Sequence, residues 1–329
     1  MIDLSTDYLG IKLKNPLIVG SCGLTNSVGK LKELEENGAG AVVLKSIFEE
    51  EIYLEFRKEM DEILGEMENN LEFLDYFDYQ LKDEKLHQYL KLVNDAKKKL
   101  SIPVIASINC VTAQNWIYYA RKIQEAGADA IELNIFMLPT DLRISGADYE
   151  KRYFSIIEKV TKEVSIPVSV KISHYFSNLA GIIQRFSQTG VSGLVLFNRF
   201  YQPDIDISRE EIVHSNVYSN PSDYLLPLRW IAIMSNRVNC DLIASTGIHE
   251  PATVIKMLLA GASAIQMVSG IYKYGPDLLG DSLEYISHWM KSKGYQSISD
   301  FKGKLNLLEG KEPSIYERVQ FMKYFGDQK

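Results

Sequence analysis

The sequence predicts a single α/β domain folded as a closed (β/α)8 barrel of eight parallel strands with helices outside. Eight short apolar runs recur along the 329 residues and alternate with amphipathic helical stretches. The runs are apolar on both faces, which is typical of buried parallel strands. They are Leu17–Val19, Ala41–Leu44, Val104–Ile108, Ala130–Asn134, Val168–Ile172, Leu194–Phe197, Leu242–Ala244 and Ala264–Val268.

The residues that separate these runs also repeat. Glycine-rich turns precede the second, fourth, sixth and eighth runs, and Ser-Ile-Pro precedes the third and fifth. Glycine ends helices in the left-handed conformation, and proline suits the first residue of a strand. Eight βα units with this punctuation favour a closed barrel over an open doubly wound sheet. No GxGxxG follows the first run, which argues against a dinucleotide-binding fold. The predicted helices include Lys30–Glu36, Ala113–Glu125, Tyr149–Lys162, Leu179–Gln188 and Pro251–Leu259.

Several segments exceed the roughly 250 residues that a minimal barrel needs. Residues 1–15 alternate apolar and polar side chains around Leu9-Gly10, which predicts a leader hairpin that plugs the bottom of the barrel. Residues 47–83 form an acidic, aromatic-rich insertion after strand two, and residues 199–224 form a second one after strand six. Loops at these strand ends build lids and substrate walls in barrel enzymes. Residues 311–329 are expected to form a tail outside the barrel.

Composition excludes several classes of function. The chain is 46% hydrophobic and 24% charged with a net charge of −7, which argues against a general nucleic-acid binder. No apolar run reaches membrane-spanning length, and the first ten residues lack the layout of a secretion signal. Cys22, Cys110 and Cys240 lie far apart without a CxxC, which disfavours disulfides and a self-contained iron–sulfur cluster. A cytoplasmic protein with no metal site is therefore predicted.

The last two strands predict a phosphate site. Thr246-Gly247 follows the seventh strand and Ser269-Gly270 follows the eighth. Small residues let backbone N–H groups converge on an anion, and the loops after strands seven and eight bind phosphate in many barrels. Taken alone, Gly247 and Gly270 could equally be turn formers.

The other strand ends carry an unusual number of polar side chains. Lys45, Asn109, Asn134, Lys171 and Asn198 each follow or end an apolar run. A buried lysine needs an anion or a strong acceptor to offset the loss of water. Asparagine both donates and accepts, so it can bind the edge of a heterocycle. A flavin fits this pattern, with its phosphate at strands seven and eight and a lysine near ring N1.

With these residues the sequence resembles the dihydroorotate dehydrogenase family of FMN-dependent (β/α)8 barrels, as a divergent, soluble member. The resemblance runs from Asn15 to Leu305. It is carried by short segments in a fixed order at the strand ends. They are NPLIVGS (Asn15–Ser21), LKS (Leu44–Ser46), SIN (Ser107–Asn109), ELN (Glu132–Asn134), VKIS (Val170–Ser173), LFN (Leu196–Asn198), STGI (Ser245–Ile248), GASAIQMVSG (Gly261–Gly270) and GYQSISDFKGKL (Gly294–Leu305).

The resemblance implies FMN as the cofactor and assigns roles to individual residues. Flavin contacts are implied for Gly20, Ser21, Lys45 and Ser46. Asn109 and Asn134 would bridge flavin and substrate, with Lys45 and Asn134 in the catalytic centre. Lys171 would lie near N1 and C2=O of the ring, and Asn198 would face the substrate. The phosphate would be held by Thr246, Gly247, Val268 and Ser269.

The substrate half departs from the family pattern. The family places a Cys or Ser base in the loop after strand four, where this chain has Phe136 and Met137, which cannot take a proton. The substrate-reading loop after strand two is replaced by residues 74–80, and Arg199 follows Asn198 where the family has Ser or Thr. Other candidate bases are Thr140, Ser145, His174, Tyr175 and Cys110, of which His174 is favoured. We therefore predict that no Cys or Ser base operates and that dihydroorotate does not reduce the flavin.

The leading hypothesis is an FMN-dependent oxidoreductase acting on dihydroorotate or a related dihydropyrimidine. Arg199 and an acidic, aromatic loop at Asp75–Tyr79 would set specificity, although Arg199 could instead pair with Asp204 or Asp206. One alternative is a dihydropyrimidine-dehydrogenase-like enzyme that takes electrons from an iron–sulfur partner. Others are a flavin-binding barrel without turnover, and a non-flavin lyase or isomerase that uses Lys45 or Lys171. A homodimer and an electron-transfer protein remain open as partners.

Overall fold

Eight parallel strands close into a barrel in the computed structural model, which describes residues 2–49, 71–110, 113–199, 202–308 and 316. The strands are β1 (Thr6–Tyr8), β2 (Ile11–Leu13), β3 (Leu17–Val19), β4 (Ala41–Val43), β5 (Ile47–Phe48), β6 (Val104–Asn109), β7 (Ala130–Asn134), β8 (Val168–Ile172), β9 (Gly193–Leu196), β10 (Pro203–Asp206), β11 (Glu211–His214), β12 (Asp241–Ser245) and β13 (Ala264–Met267). The barrel order is β3–β4–β6–β7–β8–β9–β12–β13, and β13 pairs with β3 to close the ring. The predicted closed barrel is thus confirmed.

Helices follow the barrel strands and bury one face against them. Glycines end several of these helices as predicted; Gly261, for example, caps its helix in the left-handed conformation with φ +113°. The strand faces and helix faces pack into one large core cluster, and a smaller cluster fills the barrel interior. The helices are α1 (Val28–Glu36), α2 (Leu71–Lys99), α3 (Ala113–Glu125), α4 (Gly146–Glu163), α5 (Leu179–Ser187), α6 (Leu225–Met234), α7 (Pro251–Ala260), α8 (Ser269–Tyr274) and α9 (Leu278–Lys293).

The N-terminal hairpin closes the bottom of the barrel. Strands β1 and β2 pair antiparallel around Leu9 and Gly10, whose φ values are +55° and +78°. Tyr8 and Leu9 are buried among the side chains of the barrel interior. The Leu9 N–H donates to Asp241 Oδ2 over 2.7 Å, at the first residue of β12. Since the N-terminal ends of parallel strands share one end of a barrel, the predicted plug is confirmed.

The segment after β4 differs from the prediction in its second half. Ile47 and Phe48 form β5, which pairs with the end of β6, and residues 50–70 lie outside the described part. The predicted loop at Asp75–Tyr79 is wrong, because the backbone is helical from Leu71 to Lys99. This stretch contains no glycine or proline to interrupt the helix.

The segment after β9 folds into an exposed antiparallel hairpin of β10 and β11, with Pro203 opposite His214. A short 3-10 turn, Pro221–Tyr224, then leads into α6. Of the predicted tail, only Tyr316 lies in the described part, and its hydroxyl donates to the Leu305 carbonyl. No described helix combines the length and apolarity needed to cross a bilayer.

Candidate active site

The C-terminal ends of the barrel strands enclose a cavity of about 210 Å³. Eight of the predicted site residues line it, namely Ser21, Lys171, Asn198, Arg199, Thr246, Gly247, Val268 and Ser269. Residues that were not predicted complete the wall, among them Ser219 and Gln266. The structure thus brings Lys171 and the two turns predicted to bind phosphate into the lining of one cavity.

The remaining predicted residues lie at the same end of the barrel without lining this cavity. Gly20 directly follows β3, and an added Cβ there would lie 2.9 Å from Val268 Cγ2. Lys45 is half-buried after β4, and Asn109, which ends β6, is buried. Gly20 therefore allows two strand ends to approach closely.

A buried hydrogen-bonded network forms the floor of the cavity. Lys171 Nζ donates to Gln266 Oε1 over 3.2 Å, and Gln266 Nε2 donates to Glu132 Oε2 over 2.5 Å. The three side chains are at most 8% exposed. Because its NH2 group faces a carboxylate, Gln266 must present its oxygen to Lys171. The ammonium group is therefore held at the cavity floor by an amide of fixed orientation.

A second chain of side chains runs across the mouth of the barrel. Ser46 Oγ lies 3.0 Å from Ser21 Oγ and 2.7 Å from Ser107 Oγ. Asn134 Nδ2 donates to Ser46 Oγ over 3.4 Å, and Asn198 Nδ2 donates to Asn134 Oδ1 over 2.5 Å. The two asparagines are thereby fixed in orientation, and Asn198 keeps its carbonyl oxygen as an acceptor beside the cavity.

The turn after β12 requires glycine at position 247 for two reasons, its backbone conformation and its close contact with a neighbouring segment. Thr246 and Gly247 have φ values of +80° and +78°. A Cβ on Gly247 would lie 2.1 Å from the backbone nitrogen of Tyr224, which cannot move as a side chain can. The Thr246 hydroxyl donates to the Phe197 carbonyl over 3.0 Å and fixes the turn to the end of β9. Gly247 is therefore both a turn former and a point of close approach.

Arg199 is held by its own segment. Its Nη1 and Nη2 donate to two backbone carbonyls of residues 216–217, over 2.7 and 2.8 Å. Its Nε lies 3.8 Å from Asp223 Oδ2. The predicted alternative of pairing with Asp204 or Asp206 is therefore wrong, because Asp223 supplies the carboxylate from the next turn of chain.

Comparison with known proteins agrees with this geometry. The family model for dihydroorotate dehydrogenase matches residues 3–290. The chain belongs to the dihydroorotate dehydrogenase family. It is 27% identical to the dihydroorotate dehydrogenase B (NAD(+)) catalytic subunit of Thermoplasma acidophilum, over 92% of this chain and 99% of that protein. It is 26% identical to the NAD-dependent dihydropyrimidine dehydrogenase subunit PreA of Escherichia coli, over 92% of this chain and 77% of that subunit.

In this member of the dihydroorotate dehydrogenase family, Phe136 and Met137 lie in the loop after β7, at the position predicted for the catalytic base. Phe136 is 39% exposed and Met137 is half-buried, and neither side chain can accept a proton. In the same loop, Ser145 caps α4 by accepting the Asp148 N–H. Burial raises the pKa of Cys110 well above its usual range, which keeps its thiol protonated.

His174 lines a second cavity of about 370 Å³ that shares Asn198, Arg199 and Thr246 with the first. Its Nδ1 is buried and has no hydrogen-bond partner among the described residues. Burial lowers the pKa of His174, so the imidazole is neutral at neutral pH. Among the alternative bases, His174 therefore has a neutral imidazole, which can accept a proton, and it lies next to the candidate site. Tyr175 shares this cavity, and Thr140 is exposed.

Sequence reasoning missed four buried residues at the site, namely Glu132, Ser219, His249 and Gln266. Glu132 and Gln266 had a signal, because each is a polar residue inside an otherwise apolar strand. Ser219 and His249 lie in irregular segments, where no periodic pattern marks a buried side chain. Among the described residues, no group of three or more His, Cys, Asp or Glu side chains could hold a metal ion.

Proposed function

We propose that this protein is an FMN-dependent oxidoreductase that moves a hydride between flavin N5 and a small planar dihydropyrimidine. The observation that supports this most is the single cavity shared by Lys171 and the turns after β12 and β13. A flavin mononucleotide has an anionic phosphate at one end and a carbonyl-rich ring at the other. The cavity offers donors to both ends.

The donor set of the cavity fits this cofactor. Thr246, Gly247, Val268 and Ser269 line the cavity in two glycine-containing turns, where backbone N–H groups would approach a phosphate. When bound, FMN would supply the two-electron acceptor that no side chain provides. Lys171 would hold a positive charge at the floor, where it stabilises negative charge that develops on a ring. The network through Gln266 places that charge before any ligand arrives.

The asparagines would orient the substrate. Asn134 and Asn198 are locked to each other, which leaves the Asn198 carbonyl oxygen to accept an N–H. A dihydropyrimidine ring carries N–H donors and C=O acceptors on its edge. The neighbouring strand ends would supply further contacts to the flavin or substrate. These proposed contacts are Lys45, Ser46, Asn109, Gly20 and Ser21.

Arg199 argues for an uncharged substrate. Its guanidinium already donates to two carbonyls and faces Asp223, so it is poorly placed to bind a substrate carboxylate. Dihydroorotate carries such a carboxylate, whereas a dihydropyrimidine such as dihydrouracil does not. Oxidation of either ring also removes a proton from the carbon next to the hydride donor, so the lack of a proton-accepting group at Phe136 and Met137 does not discriminate between the two substrates. The neutral imidazole of His174 would be the candidate acceptor for that proton.

Both relatives named above are subunits, which supports a protein partner for electron transfer. We propose that a separate iron–sulfur or flavin protein supplies or removes the electrons, because the three cysteines of this chain are too few for a cluster of its own. Co-purification of such a partner from the native source would test this.

The purified protein is expected to be yellow and to release FMN on denaturation. We expect anaerobic mixing with dihydrouracil to bleach the flavin absorbance, whereas dihydroorotate leaves the flavin oxidised. Stopped-flow spectroscopy measures both, and bleaching by dithionite provides the control for a reducible flavin. A colourless protein that rejects added FMN would favour a lyase or isomerase, and a yellow protein inert to every substrate would favour a binding barrel without turnover.

A further inference from the structure

A buried serine–histidine pair lies behind the predicted phosphate turns. Ser219 comes from the segment between β11 and α6, and His249 follows the turn after β12. The two side chains are 7% and 4% exposed. Ser219 Oγ lies 2.9 Å from His249 Nε2, and Ser219 is one of the residues that line the cavity. This pair connects the segment between β11 and α6 to the part of the cavity where the turns after β12 and β13 are predicted to bind phosphate, which we call the anion end.

Ser219 touches both loops that form the anion end. Its backbone N–H donates to Ser269 Oγ over 3.0 Å. Its hydroxyl oxygen accepts the Gly247 N–H over 3.3 Å, which is a long hydrogen bond. The same hydroxyl oxygen is therefore shared between the Gly247 backbone and the imidazole of His249.

The position of the imidazole proton decides what the Ser219 hydroxyl can do. Burial lowers the pKa of His249, so the ring is neutral and carries one N–H. Its Nδ1 is buried without a hydrogen-bond partner among the described residues. A proton on Nδ1 would leave a buried N–H unsatisfied, which native structures rarely tolerate. The proton is therefore assigned to Nε2, which donates to Ser219 Oγ.

This assignment leaves one donor for a ligand. Ser219 Oγ then accepts from both His249 Nε2 and Gly247 N, so its own O–H has no acceptor in either of them. Ser219 lines the cavity together with Thr246, Gly247 and Ser269, where the phosphate is expected. A hydrogen bond from this hydroxyl to a phosphate oxygen would be charge-assisted and strong.

We propose that Ser219 donates directly to the phosphate of a bound phosphate monoester and that His249 is the positioning residue that frees the Ser219 proton. The proposal rests on the proposed function, which supplies FMN as the phosphate monoester. It predicts that the pair contributes to binding of FMN and contributes nothing to binding of riboflavin, which has the same ring without the phosphate.

The test compares the dissociation constants of FMN and riboflavin by fluorescence quenching on protein freed of flavin. In Ser219→Ala and His249→Phe, the preference for FMN over riboflavin is expected to fall roughly 10- to 100-fold, the loss of one hydrogen bond to a charged group. His249→Gln keeps an N–H donor near the Nε2 position and is expected to restore most of the preference. The exposed residues Ser208 and His288 provide matched controls, as Ser208→Ala and His288→Phe.

Three outcomes would overturn the proposal. Unchanged affinities for both FMN and riboflavin in Ser219→Ala would show that the pair only ties the segment to the barrel. An equal loss of FMN and riboflavin affinity would show a structural role as well. If His249→Phe does not fold, Ser219→Ala and His249→Gln still decide. Wild-type protein that binds neither flavin would overturn the proposed function together with this inference, whereas the first two outcomes overturn this inference alone.

Discussion

Replacing Gly247 by alanine is expected to abolish FMN binding and to lower the free energy of unfolding by roughly 2–5 kcal/mol. The methyl group would meet the Tyr224 backbone nitrogen at 2.1 Å, and φ at this residue is +78°. The turn must shift to relieve that contact, which moves the backbone N–H groups of the predicted phosphate site. Urea denaturation measures the stability, and fluorescence quenching measures FMN binding.

Gly294 provides a matched control for this substitution. Its φ is +77°, and no atom lies within 4 Å of the Cβ that alanine would add. Gly294→Ala therefore carries only the backbone strain of the left-handed conformation, roughly 1–2 kcal/mol, and is expected to keep FMN binding unchanged. Equal destabilisation in the two variants would show that the close approach of Tyr224 is unimportant.

Replacing Lys171 by methionine is expected to lower the two-electron reduction potential of bound FMN by about 30–60 mV, because a charge-assisted contact is worth about 1.5–3 kcal/mol. The substitution removes the cation held at the cavity floor by Gln266 and keeps a side chain of similar length. Negative charge on the reduced ring would lose its counter-charge. Titration with redox dyes of known potential measures the effect.

Lys302 is the matched control at the opposite end of the barrel. Its Nζ donates to Ser263 Oγ over 2.7 Å, just before β13 begins. Lys302→Met removes the same charge from a partly buried lysine, yet the flavin potential is expected to stay within about 10 mV, since charges more than a Debye length away are largely screened. An unchanged potential in Lys171→Met would contradict the role proposed for Lys171.

The barrel could be predicted from the sequence because its strands are short, apolar on both faces and separated by glycine and proline. Helix Ala113–Glu125 and strand Ala130–Asn134 were predicted with the bounds they have in the structure. The helix Leu71–Lys99 was not predicted, because its acidic and aromatic residues were assigned to the substrate loop that the family has after strand two. In this segment the backbone follows its local helix propensity and forms a helix, where the family pattern had predicted a loop.

The site was predictable where chemistry follows strand ends. Lys171, Thr246 and Gly247 lie in the cavity because parallel strands bring their C-terminal ends together. Ser219 was not predictable, since the segment that carries it returns to the barrel over the β10–β11 hairpin and only tertiary contacts bury it. The partner of Arg199 was missed for the same reason.

The hairpin at the bottom of the barrel also constrains when the fold can be completed during synthesis. Thr6 bonds to Ser263, 257 residues later, and Leu9 bonds to Asp241, 232 residues later. At roughly 5–20 residues per second, the ribosome needs tens of seconds to deliver these partners. Until then β3 and β9 each have one edge without a neighbouring strand, and Tyr8 cannot pack into one cluster with Ile243 and Ala264 of the last two strands. The nascent chain therefore has to postpone closure of the ring until its last two strands emerge.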